Sequence, residues 1–136
     1  MDIEKQTKKV MLTAIQNYSK KYDVHESDVQ LMIKSGDDNC TPFYQLLINN
    51  KVKKDLTFNE ILNVKIDFLG RETIVAPFIG SGLRRLRREH GCKSEELNIL
   101  IYKKSSDANN PYLYFFKGNE AIKPLGFDFI FGELNK

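Results

Sequence analysis

Apolar residues recur at helical spacing from about Ile3 to Tyr22, where Met11, Ile15, Tyr18 and Tyr22 share one stripe and lysines take much of the rest. This pattern predicts an amphipathic helix packed by one face. After the polar stretch Asp23 to Asp28, Val29 to Lys34 is a short, branched apolar run of strand length. Ser35-Gly36-Asp37-Asp38-Asn39 supplies loop residues that tolerate left-handed backbone, and Phe43 to Ile48 returns as the second strand of a hairpin. Asn49 to Asp55 reads as a charged connection. Leu56 to Leu62 reads as a short helix opening at Thr57, three residues before Glu60 as in a capping box.

The same order then recurs. With residues 11 to 62 laid over 79 to 131, Ile15, Tyr18 and Tyr22 fall on Leu83, Leu86 and His90. Val29 to Ile33 falls on Leu97 to Ile101, and Tyr44 falls on Tyr112. With one inserted residue, Leu56 and Phe58 fall on Leu125 and Phe127. Self-similarity at a fixed period points to a supersecondary unit used twice. The expected fold is therefore α+β: two tandem αββα-like units, residues 1–68 and 69–136, sharing the core of a single domain. Their hairpins would join in a four-stranded antiparallel sheet with the two long helices on one face. At the junction Val64, Ile66 and Phe68 alternate like a strand, whereas the match to residues 5–22 predicts a helix over 73–90 despite Pro77, Gly80 and Gly82. The tail Phe127 to Phe131 reads as a helical turn.

A chain of 136 residues with 41% hydrophobic residues can bury a substantial core without staples. The only cysteines, Cys40 and Cys92, have neither ligand spacing nor a disulfide framework, so a reducing cytoplasm is expected. The amino terminus lacks the apolar core of a signal peptide and no run is long enough to span a membrane, so a soluble, unexported protein with no membrane partner is expected. The net charge of +3 is unevenly placed. Residues 1–68 hold ten lysines, no arginine and ten acids, and residues 69–136 hold six lysines, five arginines and eight acids.

That excess points to Leu83-Arg84-Arg85-Leu86-Arg87-Arg88-Glu89-His90. At 100° per residue Leu83, Leu86 and His90 lie within about 60° facing a core, and Arg87, Arg84, Arg88 and Arg85 fan across the adjoining arc of about 160°. Arginine suits phosphate because its planar fork makes paired hydrogen bonds and stays charged. The same arc would also serve as a solvated face pairing with acids. The matching positions of the first half are Gln16, Asn17, Ser19 and Lys20, so the arc is not a requirement of the unit. Gly80-Ser81-Gly82 ahead of it could offer backbone N–H groups to an anion at a helix amino terminus, or could simply permit close packing where Ala14 sits in the other half.

The remaining candidates are weaker. His25 lies in a polar turn and His90 ends a helix on its apolar side. Asp37 and Asp38 have no glutamate at calcium-loop spacing. Tyr112, Tyr114, Phe115 and Phe116 make a strand aromatic on both faces, suited to a covered sheet, a protein partner or stacked bases. Neither a nucleophile with its base nor paired carboxylates appears, so no catalytic residue, cofactor or metal ligand is assigned. Each half has the length and element order of a double-stranded RNA-binding domain, but shows no clear third strand and lacks that family's lysine-rich second helix, so no family is assigned. The expected function is a small cytoplasmic protein-interaction or regulatory protein without catalytic activity, binding a protein partner or itself as a homodimer. A nucleic-acid-binding module using helix 83–90 is the first alternative, and a small-ligand binder or enzyme the second.

Overall fold

The computed structural model describes residues 3–62, 65–68, 71–107 and 109–131. Among these residues it is an α+β fold built on a six-stranded, fully antiparallel open sheet with four α-helices, two of them long. The first long helix, α1 (Ile3–Tyr22), buries Thr7, Met11, Ala14, Ile15 and Tyr18. The second, α3 (Ala76–His90), follows Val75 and buries Ile79, Gly82, Leu83 and Leu86 at the same spacing. Both helices end on a left-handed residue, Asp23 at φ 54° and Gly91 at φ 59°, which turns the chain through a single 3₁₀ turn into a strand.

The strands are β1 (Val29–Ser35), β2 (Pro42–Ile48), β3 (Lys51–Leu56), β6 (Leu97–Lys103), β7 (Pro111–Lys117) and β8 (Glu120–Leu125), in the order β3-β2-β1-β6-β7-β8. Two meanders are thus joined back to back by β1 and β6. Leu31 pairs with Ile101 and Ile33 with Ile99, reciprocally about the pair Met32 and Leu100. A one-turn helix closes each meander, α2 (Phe58–Ile61) and α4 (Asp128–Phe131). At α2 the Glu60 carboxylate accepts the Thr57 N–H at 2.9 Å, as the capping-box spacing predicts. Between the halves stands a separate hairpin, β4 (Lys65–Phe68) with β5 (Arg71–Ile74).

Four readings need correction. The sheet has six strands rather than four, because Lys51–Leu56 and Glu120–Leu125 are edge strands and not connections. Their lysines and Pro124 hide the strand signal, and such residues suit an edge that must not pair further. Each half therefore runs αβββα rather than αββα, leaving aside the 3₁₀ turns and the separate hairpin. The second long helix begins at Ala76, not at residue 73, since Thr73 and Ile74 belong to β5. Finally, the extra residue of the second half lies in its first hairpin loop, residues 104–110 against 36–41. Ile33 pairs with Tyr44 and Ile101 with Leu113, so Tyr44 matches Leu113 rather than Tyr112. Val64 and Ala108 lie outside the described residues.

Most of the buried apolar side chains form one cluster drawn from both halves. α1 rests on β1, β6 and β7, and α3 on β2 and β6, so each long helix reaches strands of the other half. Ile15, Leu83, Ile33 and Ile101 are all fully buried.

Candidate functional site

The arginine helix does not stand free. Arg84 donates from Nη1 to the Asn39 carbonyl at 3.1 Å and from Nη2 to Ser81 Oγ at 3.0 Å. Arg87 Nη1 donates to the Asp38 carbonyl. Both carbonyls belong to the loop between β1 and β2, which has its own internal order. Asp37 Oδ1 accepts the N–H groups of Asn39 and Thr41, each at 3.0 Å. The Thr41 hydrogen bond is the main reason that the Asp37 carboxyl lies below the usual carboxylate range. Behind the loop, Ser94 Oγ donates to the Asp37 carbonyl and sits 2.6 Å from Ser35 Oγ. Two of the four arginines therefore strap the first half's hairpin loop to the second half's helix. Arg85, half-buried, shares a cleft of about 260 Å³ with Glu89, Lys123 and Asp128. Arg88 is exposed.

Gly80, Ser81 and Gly82 lie in the second turn of α3, not at its amino terminus. Their N–H groups fall beyond the first four of the helix, so they point along its axis into the backbone ladder rather than toward an anion. A Cβ on Gly82 would stand 2.7 Å from both the ring and the carbonyl oxygen of Phe129. This glycine admits α4.

The helix-free face of the sheet went largely unremarked in the sequence. Strand alternation places Val29, Leu31, Ile33, Leu97, Ile99, Ile101, Leu113 and Phe115 under the helices, all nearly or fully buried. The intervening residues face the other way, and they are also apolar: Met32, Leu47, Leu100, Tyr114 and Phe116 among them. None of these five belongs to the core cluster or packs against it. At the centre, Met32, Leu47, Leu100 and Phe116, with Lys34 and Asn98, line a depression of about 300 Å³. Asn98 Nδ2 donates to the Gly118 carbonyl at 2.9 Å, while its Oδ1 is buried without a partner. The readable signal was that Val29 to Ile33 and Leu97 to Tyr102 carry apolar side chains at both parities, more than one covered face requires.

Cys40 and Cys92 are free, buried thiols, and burial pushes the Cys92 thiol pKa up. His25 is exposed, and the His90 ring lies 5.0 Å from Phe115 with Nε2 buried and unpartnered. Among the described residues, no group of three or more His, Cys, Asp and Glu side chains is arranged to hold a metal ion, and no helix is long and apolar enough to cross a membrane.

Comparison with known protein families, with curated proteins and with solved structures finds no match. Of the two grounds for setting aside the double-stranded RNA-binding domain, the missing third strand fails, since both halves have one. The second ground holds, because α2 and α4 are single turns without a lysine.

Proposed function

We propose that this protein is a non-catalytic cytoplasmic protein-interaction module that docks a protein partner, in the simplest case a second copy of itself, on the helix-free face of its sheet. The observation that carries this reading is the apolar centre of that face, Met32, Leu47, Leu100 and Phe116 around the unpartnered Asn98 Oδ1. A partner that covers the partly exposed Met32, Leu100 and Phe116 gains the burial of their apolar area. The edges are poorer docking sites: β3 presents Lys51, Lys53 and Lys54, and β8 contains Pro124. The arginine-helix alternative is weakened because Arg84 and Arg87 already hold the 36–41 loop.

The same proposal includes a tandem duplication. Elements from α1 to β1 recur at an offset of 68, as in 29 to 97 and 35 to 103, and β2 and β3 recur at 69, as in 42 to 111 and 56 to 125. The ladder irregularities, between Leu46 and Leu47 and between Phe115 and Phe116, keep the second offset (46 to 115). The reciprocal β1–β6 register is what two copies related by a local two-fold would produce.

Sedimentation velocity over a concentration series tests the docking face. The wild-type chain is expected to dimerise and Leu100→Glu to remain monomeric with an unchanged circular dichroism spectrum. A wild-type chain that stays monomeric throughout removes the self-association form of the proposal. A Leu100→Glu chain that dimerises as well as wild type places the contact elsewhere.

A further inference from the structure

Toward one end of the sheet, beyond the cross-strand pair Leu100 and Tyr114, lies a groove of about 520 Å³. Its walls are Tyr102, Tyr112, Tyr114 and Phe127, with Lys8 from α1 and Lys104 from the second hairpin loop. A second hollow of about 360 Å³ shares Lys8 and Asn110 with it and adds Lys5 and Lys9. No carboxylate lines either one. The nearby Asp107 is engaged, accepting the Tyr112 hydroxyl at 2.6 Å and the Asn110 amide at 3.1 Å. Lys8 does carry one weak pairing, with Glu4 one turn away at 3.8 Å.

The ammonium groups are positioned over the rings. Lys104 Nζ stands 4.4 Å from the Tyr112 ring centroid and Lys8 Nζ 5.2 Å from that of Phe127. Tyr102 and Tyr112 stack at 5.8 Å, and Tyr114 leans on Phe116 at 5.4 Å. Flat π surfaces bordered by cations, with no acid in the walls, suit a planar ring that carries an anionic group. Nothing in the fold requires this composition. At the equivalent positions of the first half stand Lys34, Phe43, Gln45 and Gly36, one ring against three and a glycine in place of Lys104.

We propose that this groove binds an unpaired nucleobase together with its phosphate, either as a free nucleotide or as one residue of a single strand. The base stacks on Tyr114 beside the Tyr102 and Tyr112 pair, and the phosphate meets Lys8 and Lys104. In a single strand the next phosphate continues toward Lys9. This proposal does not rest on the docking face.

Fluorescence anisotropy with a labelled oligo(U) 12-mer provides the test, with uridine monophosphate as competitor and a blunt duplex of equal length as a second probe. Oligo(U) is expected to bind at low salt with the log-log salt slope of about 0.7 per neutralised phosphate that single strands show, and Lys8→Gln with Lys104→Gln should flatten it by about 1.4. Tyr114→Ala is expected to weaken binding by about 5- to 100-fold, the loss of one base stack, and Arg88→Gln on the far helix to leave it unchanged. Should Tyr114→Ala misfold, the lysine pair on the surface carries the test alone. Full competition by the monophosphate assigns the free nucleotide as ligand, and its failure beside oligo(U) binding assigns the strand. Absence of binding by both, equal affinity for the duplex, or insensitivity to the lysine pair overturns the proposal.

Discussion

Gly80 and Gly82 sit two residues apart inside one helix, and replacing each by alanine should move stability in opposite directions. An interior helical glycine costs about 1 kcal/mol relative to alanine through lost chain freedom and exposed backbone. At Gly80 a Cβ would meet its nearest neighbours, Arg84 Nη1 and the Cys40 carbonyl, at 3.5 Å, which is ordinary contact. Gly80→Ala should therefore stabilise by about 0.4–1 kcal/mol. At Gly82 the same atom would stand 2.7 Å from a ring carbon and from the carbonyl oxygen of Phe129. The ring can turn, but the carbonyl moves only with α4. Overpacking of this kind costs about 1–3 kcal/mol, so after the helical gain Gly82→Ala should lose up to about 2 kcal/mol. Urea unfolding followed by circular dichroism reads both, with midpoint shifts of roughly 0.2–1 M in opposite senses at a slope of about 2 kcal/mol per molar. Shifts of the same sign would refute the argument that Gly82 exists to admit Phe129.

Ile33→Ala and Ile101→Ala should each cost about 2–5 kcal/mol in the same urea assay, since both side chains are fully buried on the paired central strands; a loss under about 1 kcal/mol at either would show that its strand face is misassigned. Arg84→Gln with Arg87→Gln should speed amide exchange across the 36–41 loop, whereas Arg85→Gln with Arg88→Gln should leave that loop protected, because only the first pair donates to its carbonyls. Burial pushes the Tyr44 phenol up to about 12 from its ordinary 10.0, so the fold favours the neutral form. That stabilising contribution is complete below pH 10.0 and is lost as pH rises toward about 12, so Tyr44→Phe should raise the alkaline unfolding midpoint followed by circular dichroism. An unchanged midpoint would exclude Tyr44 as a source of alkaline lability.

What could be read from the chain alone was whatever rests on local period. The stripe Met11, Ile15, Tyr18, the branched runs at Val29 and Leu97, and Thr57 with Glu60 each carry their signal within a few residues, and each appears in the fold. The edge strands escaped because their role is opposed to that signal: Lys51, Lys53 and Lys54 discourage further pairing and so disguise the strand. The partners of the arginines escaped for a different reason. Arg84 reaches a carbonyl 45 residues away and Arg87 one 49 residues away, and the acceptors are backbone oxygens, which leave no mark on residue identity. A cationic arc on a helical wheel therefore cannot distinguish a free phosphate grip from a strap across the fold.

The two ends of the β1–β6 seam differ in chemistry. In the proposed duplication an offset of 68 sets residues 26 and 35 against 94 and 103, which would make the two ends of the β1–β6 seam counterparts. One end holds a buried hydroxyl pair, Ser35 with Ser94, that also receives the strapped loop. The other holds an ion pair, Glu26 with Lys103 at 3.0 Å, whose lysine is only 10% exposed. A neutral pair tolerates a covering loop, because hydroxyls can satisfy one another and a carbonyl in a dry site. A part-buried ion pair is costly to desolvate fully, so a covering loop there would cost more than over the hydroxyls. On the helix-free side of the ion-pair end stand Tyr102, Tyr112 and Lys104, and at the hydroxyl end Lys34, Phe43 and Gly36. The polarity of the seam and the placement of the aromatic groove thus follow one division, a first-half loop held down by arginines and a second-half loop that contributes Lys104 and Asn110 to the groove.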